Sequence, residues 1–569
     1  MARRALAVSL CAILLAFPGS SLARPGTEES TQGLQPIRAY ISTAWDTLTR
    51  SLNECGPIVD PKLAAASVLY FPADFAEPPT IAALQKQCNF QVKHLPKVIR
   101  HPGDVDANSL NPHGLLYLQH RYVVPGGRFN EMYGWDSFFI IRGLVFDGRV
   151  DLARDMVENF FFEIEHYGTV LNANRSYYLS RSQPPFLTSM IMSVYEAQKA
   201  AKHEDKKWLA KAYTYAAKDH ELWIQDPHLA GTTGLSRYFD RGEGPSPESV
   251  KDETGHYRKV VTFFLSHPEL DGRYLVKKAP GTTFPPILGS QYSVQVCDAT
   301  NAMAPAECDV VEDMALSAEF YKGDRSMRES GYDISFRFGP YGAATHHYAP
   351  VCLNSLLYKT EKDLEEMSRL LGLNGDTEKW RTRAEERREN IQKYLWNAKR
   401  GLFFDYEFDK QAQSSYEYVT TFVPLWAGLA TPEQAKAVLE NISIFERPGG
   451  LVMSPYESGG QWDYPYVWAP NQLLAVEGMR RYKFGDAANR VSYKFLSTVA
   501  ENFRRDGTIR EKYNGVTRSS ETAVTAGYHV NIVGFGWTNG VFLNLLRDLP
   551  QSFVARLAKE QEQPVPVTH

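Results

Sequence analysis

Amphipathic helical patterns recur along most of this chain and constrain its fold more than any other feature. Residues 151–167 and 361–371 each place their large apolar side chains on one helical face. Gly372 is a natural terminator for the second pattern, and the capping residues that begin at Thr431 predict the start of another helix. Strand-like alternation is confined to short pieces such as residues 402–408. The pattern therefore predicts an all-α protein.

These helical patterns extend over about 450 residues, which is more than one hydrophobic core normally holds. Several bundles, a solenoid or a closed ring of helices would satisfy this limit, but no fixed repeat period supports a solenoid. Long segments rich in glycine, proline and aromatic residues separate the helices; they are residues 101–136, 168–186, 228–350, 446–470 and 505–540. Long ordered loops usually carry function. A ring that collects these loops at one end would form a deep pocket.

The N-terminus has the pattern of a secretory signal peptide. Two arginines precede the apolar run 5–17, and small residues lead up to Ala23, where cleavage is expected. Because the run is too short to span a bilayer comfortably, an uncleaved anchor is the less favoured alternative. We therefore expect an exported protein, periplasmic or secreted. The predicted parts are a signal peptide (1–23), an N-terminal extension packed on the ring (24–100), the main domain (101–550) and a C-terminal tail (551–569).

Charge and cysteine content exclude several functions. The formal net charge of −4 gives no general attraction to nucleic acid or to an anionic membrane. The neighbouring pairs Cys55–Cys88 and Cys297–Cys308 are the simplest disulfides and leave Cys352 as a buried thiol. Neither the cysteine and histidine spacing of zinc sites nor a calcium-binding loop pattern occurs. The sequence therefore predicts no metal and no cofactor.

Three segments combine aromatic rings with polar side chains and are the candidate functional motifs. They are residues 125–136, 172–185 and 461–470. In the first, Arg128 can hold a hydroxyl group or a carboxylate with its planar guanidinium group, and Trp135 can stack on a sugar ring. Asp136 can accept hydrogen bonds from two hydroxyl groups. A structural turn before a helix would explain this segment equally well.

The first and third segments resemble the two signature motifs of the trehalases, inverting glycoside hydrolases that split α,α-trehalose into two glucose molecules. The second resembles the internal sugar-binding segment of that family. The similarity runs from about residue 90 to residue 545 and continues through residues 328–333, 354–358 and 534–539 in the same order. It is closest to the neutral-type trehalases. The resemblance implies an (α/α)6 toroid whose long loops form a pocket at one end.

The resemblance also implies roles for individual residues. It places the general acid at Asp333 and the general base at Glu511. The candidate sugar-binding residues, ten implied by the resemblance and three neighbours in the same motifs, are Arg128, Trp135, Asp136, Asn172, Arg181, Gln183, Glu248, Arg328, Gly331 and Trp462, with Phe129, Tyr133 and Ser182. Inverting hydrolysis needs one carboxyl group to protonate the leaving oxygen and a second to activate water. Lys512 is a candidate cation for keeping the second carboxyl group ionised.

Two departures from the family pattern affect this expectation. Glu248 follows Ser246 and Pro247, whereas one subgroup of trehalases has an arginine two positions before the glutamate. Residues 523–533 contain neither the run of glycines nor the glutamate that usually precedes the last conserved block. Glu521 is a weak candidate to replace that glutamate. The changed loop leaves the exact substrate open.

The predicted function is hydrolysis of trehalose by a monomer, with the disaccharide as its only partner. The first alternative is a glycosidase of the same fold that acts on another small α-glucoside, such as kojibiose or maltose. The second alternative is a non-catalytic sugar-binding protein, which the presence of both candidate carboxyl groups disfavours. A polysaccharide lyase would share the helical ring but would need a tyrosine or histidine base.

Overall fold

The computed structural model describes residues 29–59, 67–248, 255–270, 272–277, 314–528 and 530–563. Helices dominate these ranges. In chain order they are α1 (Gln35–Leu48), α2 (Cys55–Ile58), α3 (Pro79–Leu84), α4 (Asp136–Phe146), α5 (Val150–His166), α6 (Leu187–Ala200), α7 (Lys206–Trp223), α8 (His256–Ser266), α9 (Ala318–Glu329), α10 (Val351–Leu371), α11 (Asn374–Tyr394), α12 (Val423–Ala427), α13 (Pro432–Glu440), α14 (Ala469–Arg481), α15 (Gly485–Asp506), α16 (Gly536–Arg547) and α17 (Gln551–Gln561).

The strands of the described ranges are short. They are β1 (Thr49–Arg50), β2 (Ser67–Phe71), β3 (Phe90–His94), β4 (Leu115–Leu116), β5 (Tyr122–Val123), β6 (Leu275–Lys277), β7 (Met314–Leu316), β8 (Tyr348–Ala349), β9 (Trp396–Asn397), β10 (Leu402–Phe403), β11 (Tyr406–Glu407), β12 (Ala412–Gln413), β13 (Glu446–Arg447), β14 (Gly450–Leu451), β15 (Tyr466–Trp468) and β16 (Lys512–Asn514). Strand β2 pairs in parallel with β3 and β4, and the other pairings are antiparallel. The pair β15–β16 sets Trp468 opposite Lys512.

Within the described ranges, six helices form a closed inner ring. Each packs against the next in the order α4, α6, α10, α12, α14 and α16, and α16 returns to α4. Helices α5, α7, α11 and α15 pack against members of this ring and form an outer layer. The predicted all-α (α/α)6 toroid is confirmed.

The inner helices are deeply buried. Helices α14 and α16 are buried along most of their length, and the buried residues include polar side chains such as Gln472 and Asn544. Rings from three inner positions meet at the centre of the toroid: Phe138 stacks on Phe186 with ring centres 4.6 Å apart, and Trp426 lies 5.7 Å from Phe186. The centre of the ring is thus a packed core.

The segment before the ring is anchored to it. Helix α1 packs on α16, and the fully buried Trp45 donates its indole N–H to Asp147 at 2.8 Å. Cys55 and Cys88 form a disulfide, and Cys352 is a buried free thiol in α10. The second expected disulfide, Cys297–Cys308, lies outside the described residues, as do residues 1–28 and 564–569. The proposed division of the chain at residues 100 and 550 stays a prediction.

Local signals located some helix ends correctly and missed one. Thr431 forms a capping box with Gln434 at the start of α13, and Gly372 ends α10 in the left-handed region with φ of 75°. The start of α10 differs, because the helix begins at Val351, ten residues before the predicted pattern. Residues 351–360 are almost all buried, so they lack the polar stripe that reveals an amphipathic helix.

The ring closes through a glycine contact. A Cβ atom at Gly540 of α16 would lie 2.1 Å from the carbonyl oxygen of Phe139 in α4. A Cβ atom at Gly143 of α4 would lie 2.6 Å from the Cα atom of Gly540. Because packed interiors have almost no spare volume, any side chain here would push the first and last inner helices apart.

We therefore expect Gly540→Ala to lower the free energy of unfolding by about 1–3 kcal/mol or more, as overpacking does elsewhere. Gly375→Ala in α11 is the matched control, since nothing lies within 4 Å of its Cβ position. This control should keep or slightly increase stability. Urea unfolding followed by circular dichroism measures both midpoints. A Gly540→Ala midpoint equal to that of the control would contradict the close contact.

Candidate active site

Asp333 follows helix α9 on a tight turn that requires a glycine. Gly331 has φ of 75°, and a Cβ atom there would lie 2.8 Å from Cε2 of Trp135. Arg328, in the last turn of α9, brings Nη1 to 4.0 Å from Asp333 Oδ2, and Asp324 one turn earlier accepts from its Nε at 3.3 Å. The side chain of Asp333 is 31 % exposed, so a ligand can reach its carboxyl group.

Glu511 lies immediately before β16, and its side chain is only 3 % exposed. The ammonium group of Lys512 donates to Oε2 at 3.3 Å, and the hydroxyl group of Tyr528 donates to Oε1. The indole N–H of Trp537 donates to the backbone oxygen of Glu511 at 3.3 Å. Both carboxylate oxygens therefore have a donor, and the ion pair with Lys512 is buried rather than on the surface.

The pKa values of three groups, the buried Asp136 and Lys512 and the half-buried Tyr528, respond to the charges of both Asp333 and Glu511. Burial raises the pKa of Asp136 well above its usual range, and both carboxylates raise it further. Burial lowers the pKa of Lys512, and the same two carboxylates oppose that shift. Burial and both carboxylates also raise the pKa of Tyr528 well above its usual value. Because such electrostatic effects weaken with distance, these groups must surround one site.

Gln461 links the backbone of Asp333 to Lys512, the partner of Glu511, through its buried amide. Its Nε2 donates to the backbone oxygen of Asp333, and its Oε1 accepts from Nζ of Lys512 at 3.3 Å. The indole N–H of Trp468 donates to the backbone oxygen of Gln461 at 2.8 Å and so holds this residue in place. One side chain thus couples the turn that carries Asp333 to the strand that follows Glu511.

The first two motifs form one connected wall. Gly134 donates its N–H to the carbonyl oxygen of Asn172 at 3.1 Å, and Trp135 donates its N–H to Oε1 of Gln183 at 2.8 Å. The side-chain amide of Asn172 reaches the carbonyl oxygen of Arg328 at 3.4 Å. The amides of the second motif therefore hold the first motif and the end of α9 together.

Arg181 and Glu248 form a buried ion pair. Arg181 is 2 % exposed, donates to Oγ of Ser246 at 3.2 Å and lies with its guanidinium carbon 4.7 Å from the centre of the Tyr178 ring. Burial alone would raise the pKa of Glu248, but the charges of Arg181 and Arg328 lower it to about 2. These two arginines supply the positive charge that the segment around Glu248 lacks.

The remaining candidate residues differ in how accessible they are. Arg128 lies 5.1 Å from the centre of the Phe129 ring, and both side chains are half-buried. The ring of Tyr133 is 5.5 Å from that of Phe129. Trp462 is only 2 % exposed and stacks on Trp468 with ring centres 3.9 Å apart. Stacking of Trp462 on a sugar therefore stays a prediction, because one face of its ring is covered.

Ser182 is used within the protein. Its hydroxyl group donates to the carbonyl oxygen of Val170 at 2.7 Å, and its N–H donates to Oε1 of Glu329 at 3.1 Å. These bonds fix the backbone next to Arg181. A direct contact of Ser182 with a ligand stays a prediction as well.

Two important side chains were not predicted from the sequence. Gln461 opens the third motif, but nothing in its spacing indicated a link to Asp333. Tyr528 belongs to the loop that departs from the family pattern, and no sequence signal indicated its contact with Glu511. Glu521, the weak candidate for the missing acid of this loop, is exposed. The loop thus contributes a phenol, rather than that glutamate, to the site.

Comparisons with known proteins agree with this arrangement. The model of the family described as Trehalase matches residues 31–264 and 295–550. A probable trehalase of Eremothecium gossypii is 36 % identical over 88 % of this chain and 70 % of its own length. A cytosolic neutral trehalase of Saccharomyces cerevisiae is 34 % identical over 88 % of this chain and 69 % of its own length.

A solved structure shows the same fold. Neutral trehalase Nth1 from Saccharomyces cerevisiae superimposes with a TM-score of 0.73 at 31 % sequence identity. The match covers 94 % of this chain and 97 % of that chain. The similarity therefore includes both the helical ring and the loops above it.

The same comparisons correct one prediction. Six curated relatives are named cytosolic neutral trehalase, including one of Kluyveromyces lactis that is 37 % identical over 74 % of this chain. The predicted signal peptide (1–23) and the predicted periplasmic or secreted location are therefore wrong. They rested on the composition of the first 23 residues alone, and a basic start before a short apolar run is only a compositional pattern.

Within the described ranges, none of the helices combines the length and the apolar character that crossing a membrane requires. The family match covers most of the sequence, and the relatives align over most of its length. The solved structure shares its ring of helices. This chain belongs to the trehalase family.

Proposed function

We propose that the chain hydrolyses α,α-trehalose to two glucose molecules with inversion at one anomeric carbon, with Asp333 as the general acid and Glu511 as the general base. The main support for this proposal is that two carboxyl groups with different exposure and different hydrogen-bond partners lie in one site. Glu511 is buried with a donor on each oxygen, whereas Asp333 is partly exposed beside Arg328. Inverting glycosidases need two carboxyl groups at one site, one that donates a proton and one that activates water.

The surroundings of Glu511 suit a general base. The positive charge of Lys512 and the hydroxyl group of Tyr528 both stabilise the ionised carboxylate. Tyr528 stays protonated throughout the working range because its pKa lies well above its usual value. Each carboxylate oxygen has more than one lone pair, so a water molecule can still donate to Glu511 beside these two donors. The carboxylate then removes a proton from that water molecule while the oxygen of the water attacks the anomeric carbon.

Asp333 would protonate the oxygen that leaves. Its carboxyl group shares the site with Glu511 and with Asp136, and burial together with the two other carboxylates raises the pKa of Asp136 well above its usual range. The raised pKa favours the neutral form of Asp136, and a neutral carboxyl group can both donate to and accept from sugar hydroxyl groups.

The remaining candidate residues would recognise a neutral sugar through fixed donors. Buried Arg328 and Arg181 are oriented by Asp324 and Glu248. A sugar that lacked the matching hydroxyl groups would leave buried polar groups unpaired, at about 1–3 kcal/mol each. One chain supplies every candidate residue, which fits the predicted monomer, and the proposed chemistry uses no cofactor.

The direct test is the reaction of the purified chain with trehalose, followed by proton NMR that resolves the two glucose anomers. We expect equal initial amounts of α- and β-glucose, because inversion changes one of the two anomeric centres. Formation of α-glucose alone would exclude inversion. Kojibiose and maltose should be run in parallel, because the changed loop 523–533 motivates a different α-glucoside as substrate. If kojibiose or maltose were cleaved and trehalose were not, the cleaved sugar and not trehalose would be identified as the substrate.

Asp333→Asn and Glu511→Gln should each lower kcat by about 10²–10⁴-fold, the usual contribution of a general acid or base. Glu521→Gln is the matched control, since that glutamate is exposed in a neighbouring segment. All three variants should stay folded by circular dichroism, with the lowest melting temperature in Glu511→Gln because it removes the counter-charge of the buried Lys512. If either site variant retained more than a tenth of the parent kcat, its assigned role would be rejected.

Tyr528→Phe should lower kcat by about 10-fold or more while leaving the fold intact. The variant removes the hydrogen bond that the phenol donates to Oε1 of Glu511, and this bond holds the carboxylate in one orientation. A hydrogen bond to a charged group is worth about 1.5–3 kcal/mol, which corresponds to about a 10- to 150-fold change in rate if the bond is needed in the transition state. Tyr456→Phe is the control, because its hydroxyl group contacts Glu417 instead. A kcat equal to that of the control would show that Tyr528 does not position Glu511.

A further inference from the structure

A second cluster of reactive side chains lies at the opposite end of α9 from Arg328. His346 Nε2 lies 3.2 Å and His347 Nε2 lies 2.6 Å from the same oxygen, Oε1 of Glu319. The three potential ligand atoms all lie within 4.8 Å of one another. Nine residues of helix separate Glu319 from Arg328, about 13 Å along the axis, so this cluster is distinct from the active site.

We propose that Glu319, His346 and His347 bind a divalent transition metal ion, with Zn²⁺ as the best chemical fit. Two imidazole nitrogens and one carboxylate oxygen form a known zinc ligand set, which leaves a fourth position for water. Ligand atoms about 2.0–2.1 Å from a tetrahedral metal lie about 3.3 Å from one another. The separation of His346 Nε2 from Oε1, 3.2 Å, is close to this value, whereas that of His347 Nε2, 2.6 Å, would have to increase for the metal to fit.

The side chain of His347 is held between two carboxylates. Its Nδ1 faces a carboxylate oxygen of Asp409, and its Nε2 faces Oε1 of Glu319. His346 directs its own Nε2 at the same oxygen of Glu319. Two imidazole nitrogens and one carboxylate oxygen thus converge, and a metal ion between them could be bound by all three.

Asp409 completes the arrangement as an outer partner. Histidines that bind metals usually donate their other N–H group to a carboxylate or a carbonyl group, which fixes the ring and makes its free nitrogen a stronger ligand. Asp409 contacts His347 in this manner. Arg273 Nη1 lies 3.6 Å from Oε1 of Glu319, and its side chain is 37 % exposed, so it can move aside when a metal binds.

The metal would join two segments that precede parts of the active site. Glu319 lies at the start of α9, which ends next to Asp333, and His346 and His347 lie shortly before α10 of the inner ring. Binding should therefore raise the melting temperature of the whole chain. It should leave the chemistry at Glu511 unchanged, because the cluster contributes no atom to that site.

The test uses the full chain without an affinity tag, after treatment with a chelator. Calorimetric titration with Zn²⁺ at about pH 7.5, above the usual histidine pKa, should show one equivalent bound in the low micromolar range or tighter. Co²⁺ should bind with the visible absorption of a site that contains nitrogen and oxygen ligands. Glu319→Gln and His347→Ala should each lose this binding, whereas His203→Ala, which replaces an exposed histidine, should keep it.

The outcomes separate this site from the proposed enzymatic function, because calorimetry needs no substrate. Absence of Zn²⁺ binding by the parent chain would overturn the proposal and leave the cluster as a set of hydrogen bonds between histidines and carboxylates. Binding that survives in both variants would place the metal elsewhere and would also overturn it. Circular dichroism confirms that each variant is folded, and the nearly isosteric Glu319→Gln keeps the test valid if His347→Ala is unstable.

Discussion

The buried ion pair between Glu511 and Lys512 is the interaction on which the site depends. Burying two charges is costly unless further groups stabilise them. Here Tyr528 donates to one oxygen of Glu511, Gln461 accepts from the ammonium group, and the Tyr528 ring lies 4.0 Å from that nitrogen. Pairing of β15 with β16 brings Trp468 opposite the lysine and its ring to within 5.0 Å. The pair is therefore held on several sides, and a carboxylate in such surroundings keeps one orientation.

The helical ring explains why these groups meet. Asp136 begins inner helix α4, Trp537 lies in the first turn of inner helix α16, and Trp135 and Trp537 pack with ring centres 5.7 Å apart. The glycine contact between the same two helices closes the ring beneath them. A ring closed at a fixed distance leaves the loops at its end little freedom in their relative positions. Gln461 then only has to couple two loops that the ring has already brought together.

Much of the fold is contained in local sequence signals, whereas much of the site is not. The capping box at Thr431 and the terminating Gly372 act over a few residues and could be recognised directly. The bond from Gln461 to Asp333 joins residues 128 positions apart, so only the tertiary fold creates it. The spacing of cysteines and histidines along the sequence did not predict the cluster of Glu319, His346 and His347 for the same reason. Its histidines are adjacent, but Glu319 lies on a separate helix.

The changed loop 523–533 brings a phenol to the site where the family pattern has an acid. Asp333, Glu511 and Asp136 already place three carboxyl groups together, and burial with mutual repulsion raises the pKa of Asp136. A further glutamate beside Glu511 would add to this repulsion. Tyr528 instead donates a hydrogen bond to the carboxylate of Glu511 without adding a negative charge. The loop thus completes the set of donors around Glu511, and Lys512 is the one cation in direct contact with that carboxylate within the described residues.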